Sequence, residues 1–175
     1  MNAIIKEAIE LRKQGEYAAS RALLTNLLPK PEFAAKAHLQ IAWSYDNESQ
    51  ELAAIEHYEL AIDGQLSKAE IFDALFGLAS TLRSVGRYED ALNYFECILV
   101  EYPEAIEIQP FYAMCLYNLG RHKEATSQLL SLIVSTTDND SIKKYRTAIE
   151  LNDRQDSRFK NDRQDSRFKK HQNQG

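Results

Sequence analysis

Apolar residues recur along this chain at helical rather than alternating spacing. Leu75, Leu78, Ala79 and Leu82 fall three or four apart on one helical face, and Tyr88, Ala91, Phe95 and Ile98 form a second such stripe. Gly86 separates the two stripes and Pro103 closes the second, so the segment reads as helix, turn, helix. The arrangement returns on both sides. Upstream, His38, Ile41, Ala42 and Tyr45 precede Ala54, Tyr58 and Ala61, with Ser49 where the turn glycine would fall. Downstream, Tyr112, Ala113 and Leu116 precede Gly120, Ala125, Leu129 and Leu132, with Thr137 in place of the closing proline. At the start of the chain, Ile4, Ala8 and Leu11 precede Gly15, Tyr17, Leu24 and Leu27.

The turns share a phrase: Gly15-x-Tyr17, Gly86-Arg87-Tyr88-Glu89-Asp90-Ala91 and Gly120-Arg121-His122-Lys123-Glu124-Ala125. Gly86 and Gly120 stand 34 positions apart and Gly15 and Gly86 stand 71 apart, which leaves room for one unit between them. A fixed period of this size marks stacked copies of one supersecondary unit. The pattern resembles the tetratricopeptide repeat, whose first helix carries an aromatic, Leu and a small residue and whose second carries Ala, an aromatic and a closing Pro. Four units cover roughly residues 2–137. The first departs from the family at Glu7, where leucine is preferred, and at Ser20, where alanine is preferred; an exposed outer face would tolerate both.

Local signals refine the boundaries. Ser67-x-x-Glu70 is a capping-box sequence, so a helix over 68–85 should start early and be the longest. Pro110 belongs in a first helical turn, which starts the next helix near Gln109. Asp138-Asn139-Asp140-Ser141 supplies N-cap chemistry, and Ile142, Tyr145 and Ile149 then recur at helical spacing among charges. That stretch resembles the solvating cap of tetratricopeptide arrays. The expected fold is therefore all-α: a solenoid of four helix–turn–helix repeats plus a C-terminal capping helix, in a domain over 1–151. The resemblance extends to small stand-alone bacterial tetratricopeptide proteins, including those of tetratrico peptide repeat group 5.

Residues 152–175 read differently. Asn152–Lys160 is NDRQDSRFK and Asn161–Lys169 repeats it letter for letter. The segment lacks a core-forming stripe and is expected to be a polar disordered tail or a duplication artefact, ahead of a helical extension held by opposite charges four apart. It carries seven Lys/Arg against four Asp, leaving fourteen basic and twenty-two acidic residues for 1–151. An acidic body is poorly suited to phosphate backbones, which argues against nucleic acid as a partner.

With 44% hydrophobic residues, six glycines and four prolines, the chain can bury a core and sustain long helices. Cys97 and Cys115 follow no metal or redox spacing and are expected to be small core residues in a reducing, cytoplasmic setting. No signal peptide is evident at the start and no apolar run is long enough for a bilayer, so no membrane is expected.

Catalytic and metal constellations are not found. No two of His38, His57, His122 and His171 stand three or four apart, none neighbours a cysteine, and no phosphate-cradling glycine motif occurs. His38 is expected to be packed in the repeat and His57 and His122 to lie on helix surfaces. No cofactor, no metal and no enzymatic activity are expected. The resemblance instead implies a concave groove lined by the first helix of each repeat, binding a protein or peptide partner. By register that face comprises Ile5, Ile9 and Arg12, then Leu39 and Trp43, then Phe76, Ser80 and Arg83, then Phe111, Met114 and Tyr117, with Lys6 and Lys13 also at the rim. Relatives that clamp a terminal carboxylate use lysines and asparagines here; this chain has Ile5, Ile9, Leu39 and Trp43. Apolar anchors of a peptide or amphipathic helix would suit it, with Arg12 and Arg83 meeting acidic flanks. The alternatives are a homo-oligomeric self-assembly scaffold and a regulatory peptide receptor. Gly77, within a helical stripe, costs about 1 kcal/mol relative to alanine. It either admits a ligand backbone or is merely tolerated.

Overall fold

The computed structural model describes residues 3–150, and the tail expectations above lie outside them. Among the described residues the α-helices follow one another as α1 (Ala3–Lys13), α2 (Tyr17–Thr25), α3 (Pro31–Asn47), α4 (Glu51–Ile62), α5 (Lys68–Ser84), α6 (Tyr88–Glu101), α7 (Gln109–Asn118), α8 (His122–Thr136) and α9 (Asp140–Lys143). A short 3-10 turn over Ile106–Ile108 leads into α7, and residues 146–150 are helical again. Helices α1 to α8 pack as four consecutive hairpins, each laid against the next, and no strand occurs among the described residues. This is an all-α solenoid.

The four turns inside the hairpins are one device. Gly15, Gly86 and Gly120 have φ of 84°, 84° and 76°. The following amides, of Glu16, Arg87 and Arg121, each donate five residues back, to Leu11, Leu82 and Leu116 carbonyls at 2.9 Å. That pair of features is a Schellman ending, in which a left-handed residue turns the last carbonyls of the helix inward to meet donors. Ser49 adopts the same turn at φ 56°, and Gln50 N–H reaches the Tyr45 carbonyl at 3.0 Å. The missing glycine therefore changed the residue without changing the turn.

Helix starts also follow the local chemistry. The Ser67 hydroxyl accepts from Glu70 N–H, and the Glu70 carboxylate accepts from Ser67 N–H at 2.9 Å, completing the capping box of α5. Pro31 and Pro110 sit in the first turns of α3 and α7, where no donor is needed. Helix α5 has 17 residues and α3 equals it, so the expected longest helix has a twin.

Small residues let the helices approach. Ala8, Ala42, Ala54, Ala61, Ala79 and Ala91 are fully buried, and Ala113 and Ala125 nearly so. One continuous core runs from α3 to α8, around Tyr58, Leu78, Phe95 and Leu116. A smaller cluster of Ile5, Ala8, Leu24, Leu27, Ala37 and Ile41 joins the first hairpin to α3, and Tyr45 packs on both. Ser20 is buried rather than exposed; its hydroxyl donates to the Ala8 carbonyl at 2.7 Å, which satisfies it within the stack. Cys115 is buried with its thiol on the Tyr88 carbonyl at 3.2 Å, whereas Cys97 is exposed and is not a core residue.

The C-terminal segment differs from a continuous cap helix. Asn139 does cap α9, accepting from Ser141 N–H at 2.9 Å. The helix then breaks at Lys144 and Tyr145, where Tyr145 N–H turns to the carbonyl of Ile142, three residues back. Ile142 and Ile149 are half-buried while Tyr145 is exposed, so only part of the expected stripe packs.

Candidate functional site

All eleven residues expected in the groove lie on α1, α3, α5 and α7, the first helices of the hairpins. Helix α3 touches both α1 and α5 directly. Not every expected side chain is available, however. Ile5 and Leu39 are 3% and 1% exposed and belong to the core, so neither can face a ligand. Ile5 packs in the cluster that holds Leu24 and Leu27, and Leu39 in the one that holds Ile55 and Tyr58, an inward placement that register alone did not separate from the groove face. Ile9, Arg12, Trp43, Phe76, Ser80, Arg83 and Phe111 are half-buried, and Met114 and Tyr117 are exposed.

The remaining residues form two neighbourhoods. In the first, the Arg12 guanidinium lies over the Trp43 ring, 5.3 Å from its centroid, and donates to the Asn47 side-chain oxygen at 3.3 Å. Burial lowers the Arg12 pKa from its ordinary value, partly offset by Tyr58 and Tyr17. In the second, Phe76 meets Phe111 edge-on with centroids 4.8 Å apart, and Arg83 donates to the Asn118 side chain at 3.4 Å. Arg12 with Asn47 and Arg83 with Asn118 are the same contact, each bridging 35 positions between successive first helices. The Nε atoms of both arginines are buried without a hydrogen-bond partner among the described residues.

The aromatic line continues past the expected groove. Phe72 lies one turn before Phe76, with centroids 6.2 Å apart, and meets Tyr102 edge-on at 5.1 Å. Phe72 and Tyr102 line an open cavity of about 610 Å³ between the start of α5 and the segment 101–107. Tyr102 is anchored by its hydroxyl, which donates to the Lys68 carbonyl at 3.0 Å. The spacing of Phe72 to Phe76 was legible as one helical face; Tyr102 came from a linker, where periodicity carries no signal.

The histidines give a second surprise. His38 and His57 place their Nδ1 atoms 2.8 Å apart across α3 and α4, so one must donate and the other accept. His57 also stacks on Tyr45; the Arg21 guanidinium lies over the Tyr45 ring, 4.3 Å from its centroid, and also contacts Ser44 and Glu48. His57 is thus half-buried and partnered rather than a plain surface residue, whereas His122 is exposed with its ring 4.6 Å from Tyr117. No group of three or more His, Cys, Asp or Glu among the described residues has the geometry of a metal site.

Gly77 has a structural explanation. A Cβ there would stand 2.5 Å from the Tyr58 ring, so the position makes room for a neighbour's aromatic side chain rather than for a ligand backbone.

Comparison with known proteins settles the class of this array. The sequence model of the family described as tetratrico peptide repeat matches residues 35–151. The chain belongs to the tetratrico peptide repeat family. The match begins within α3, and the α1–α2 hairpin ahead of it packs onto the array as a further repeat. Among solved structures, YrrB, a TPR protein with an unusual peptide-binding site, aligns with a TM-score of 0.66 at 20% identity, over 85% of this chain and 74% of that one. A tetratricopeptide repeat protein from Parabacteroides merdae ATCC 43184 aligns with a TM-score of 0.66 at 17% identity, over 87% of this chain and 59% of that one. At these identities the likeness is one of fold. No curated protein matches the sequence. No helix among the described residues is long and apolar enough to cross a membrane.

Proposed function

We propose that this tetratrico peptide repeat chain is a non-catalytic protein-interaction module, acting in the cytoplasm, that holds an apolar or amphipathic peptide segment along its first helices. The observation that carries the reading is the surface left open there: Trp43 under Arg12, Phe76 against Phe111, and Met114 and Tyr117 exposed at 38% and 63%. Aromatic side chains held by packing offer a large area at small entropic cost, as recognition hot spots do. The guanidinium groups of Arg12 and Arg83, each held by an asparagine of the next first helix, add positive charge for acidic groups flanking the apolar anchors. That YrrB has a peptide-binding site on the same kind of scaffold supports the reading. The acid-rich body supports a protein rather than a nucleic acid as partner.

Affinity capture from the native cell with the wild-type chain beside Trp43→Ala and Tyr117→Ala tests this directly. A partner recovered by wild type and lost with Trp43→Ala, with unchanged helicity and melting, is the expected result. Equal recovery by all three proteins removes the site from the first helices.

A second reading, self-assembly, draws on a different surface. Leu129 and Ile133 on α8 and Tyr145 just after α9 are 39%, 46% and 58% exposed, apolar area that a second copy could cover. Light scattering of the purified chain separates the two: a monomer excludes the scaffold, and a dimer dispersed by Ile133→Glu supports it.

A further inference from the structure

The cavity beside the groove has a composition that the groove lacks. Its floor is aromatic, formed by the Phe72 and Tyr102 rings, while Asp73, Glu101, Glu104 and Glu107 stand around it. Lys68 is the one cation of the lining and lies over the Tyr102 ring, 5.4 Å from its centroid. That placement shows the ring face to be suited to positive charge. Four carboxylates against one ammonium leave the rim strongly negative, and nearby Glu70 already pairs with Lys36. Burial and the field of Glu70 push the Asp73 carboxyl upward, the state of an acid short of a cationic partner. An occupant should therefore present an aromatic ring between cations.

The chain itself contains that occupant. Arg158-Phe159-Lys160 and Arg167-Phe168-Lys169-Lys170 place the only two large apolar residues of the last 24 positions between basic ones, in a segment with seven Lys/Arg against four Asp. We propose that the cavity is a docking site for the chain's own Arg-Phe-Lys phrase, the phenylalanine seated on Phe72 and Tyr102 and its flanking cations among the four carboxylates. The tether is long enough. At about 3.3–3.6 Å per extended residue, Phe159 and Phe168 reach roughly 30 and 60 Å beyond Glu150. The cavity lies three helices back, α8 to α5, or roughly 30 Å at 8–10 Å between helix axes. Two copies of one phrase on one tether also raise the local concentration at a single pocket. This proposal is independent of the groove reading, because none of the cavity residues named lies among the expected groove residues.

Hydrogen exchange on the full-length chain at low salt tests it, comparing wild type with Phe159→Ala/Phe168→Ala. Docking should slow exchange over residues 68–73 and 101–107 by roughly fivefold or more in wild type, and the double variant should lose that protection. Raising the salt to about 0.5 M should mimic the variant, since the rim charges are then screened. A labelled peptide of residues 161–170 should bind the full-length double variant, and Glu104→Lys/Glu107→Lys added to it should weaken binding roughly tenfold or more. Both glutamates are exposed, so charge reversal leaves the fold in place, as circular dichroism would verify. Identical exchange in wild type and double variant, or equal peptide binding after charge reversal, overturns the proposal. Protection that rises with protein concentration overturns it as well, because the tail would then be visiting a second copy.

Discussion

The Tyr58 ring of α4 lies against Gly77 of α5, so close that any Cβ at 77 would stand 2.5 Å from two of its ring atoms and 2.6 Å from its hydroxyl oxygen. The phenol is held there from its far end. Its hydroxyl donates to the Asp46 carboxylate, and the Thr81 hydroxyl, 3.1 Å from that carboxylate and 2.8 Å from the Gly77 carbonyl, shares its one proton between the two. Three successive helices, α3, α4 and α5, are thereby joined by one polar network around a missing side chain.

Gly77→Ala should therefore destabilise the chain, although alanine is the better helix former. The helical gain of about 1 kcal/mol is set against an overpacking cost of about 1–3 kcal/mol, larger here because the clash is with a ring pinned at its hydroxyl. Urea denaturation should show a lower midpoint for Gly77→Ala and partial recovery in Tyr58→Leu/Gly77→Ala. A midpoint raised by Gly77→Ala would show that the ring moves freely.

Asp46 should give stability an unusual pH dependence. Burial raises its pKa despite the hydrogen bonds from Tyr58 and Thr81, so the native state holds the proton more tightly than the unfolded chain. The Asp46 contribution is then greatest below the ordinary carboxyl value of about 3.9 and falls as pH rises through the raised native value. Asp46→Asn keeps an acceptor for Tyr58 and removes that fall. Denaturation midpoints across pH 3.5 to 7 should thus move in favour of the variant with rising pH, and parallel curves would show an unshifted carboxyl.

The His38–His57 pair should act in the opposite sense. Burial lowers both pKa values, and for His57 the fields of His38 and Arg21 lower it further against Glu56. The neutral, hydrogen-bonded pair is intact above the unfolded value of about 6.5, and its stabilisation is lost as pH falls from there through the lowered native values. His38→Leu/His57→Leu removes both polar partners together, a change that can be nearly neutral. Its melting temperature should match wild type near pH 7.5 and exceed it near pH 5. The same acid sensitivity in both proteins would place its origin elsewhere.

Ser49 pays for its turn. A side chain in the left-handed region costs about 1–2 kcal/mol, while glycine loses more entropy on folding, about 0.5–1 kcal/mol. Ser49→Gly should raise stability by up to about 1 kcal/mol, read as a higher midpoint with an unchanged denaturant slope. Ser49→Val should lower it.

Sequence alone determined the hairpins, their turns and their starts. Gly86 and Gly120, the Ser67–Glu70 box and Pro110 act on their own backbone neighbours, and buried alanines recur in every repeat, so each signal was complete within a few residues. The tertiary structure decided what those helices present. Ile5 and Leu39 turned inward, His38 met His57 from 19 positions away, and Tyr58 claimed the space at Gly77. Tyr102, from a linker without periodicity, completed a cavity with Phe72. The physical reason is that helix register specifies a face only to within a fraction of a turn, whereas burial and pairing depend on the angle and separation at which successive helices stack. The Arg12–Asn47 and Arg83–Asn118 contacts, each spanning 35 positions, required that stacking before the repeat period could be read as a set of neighbours.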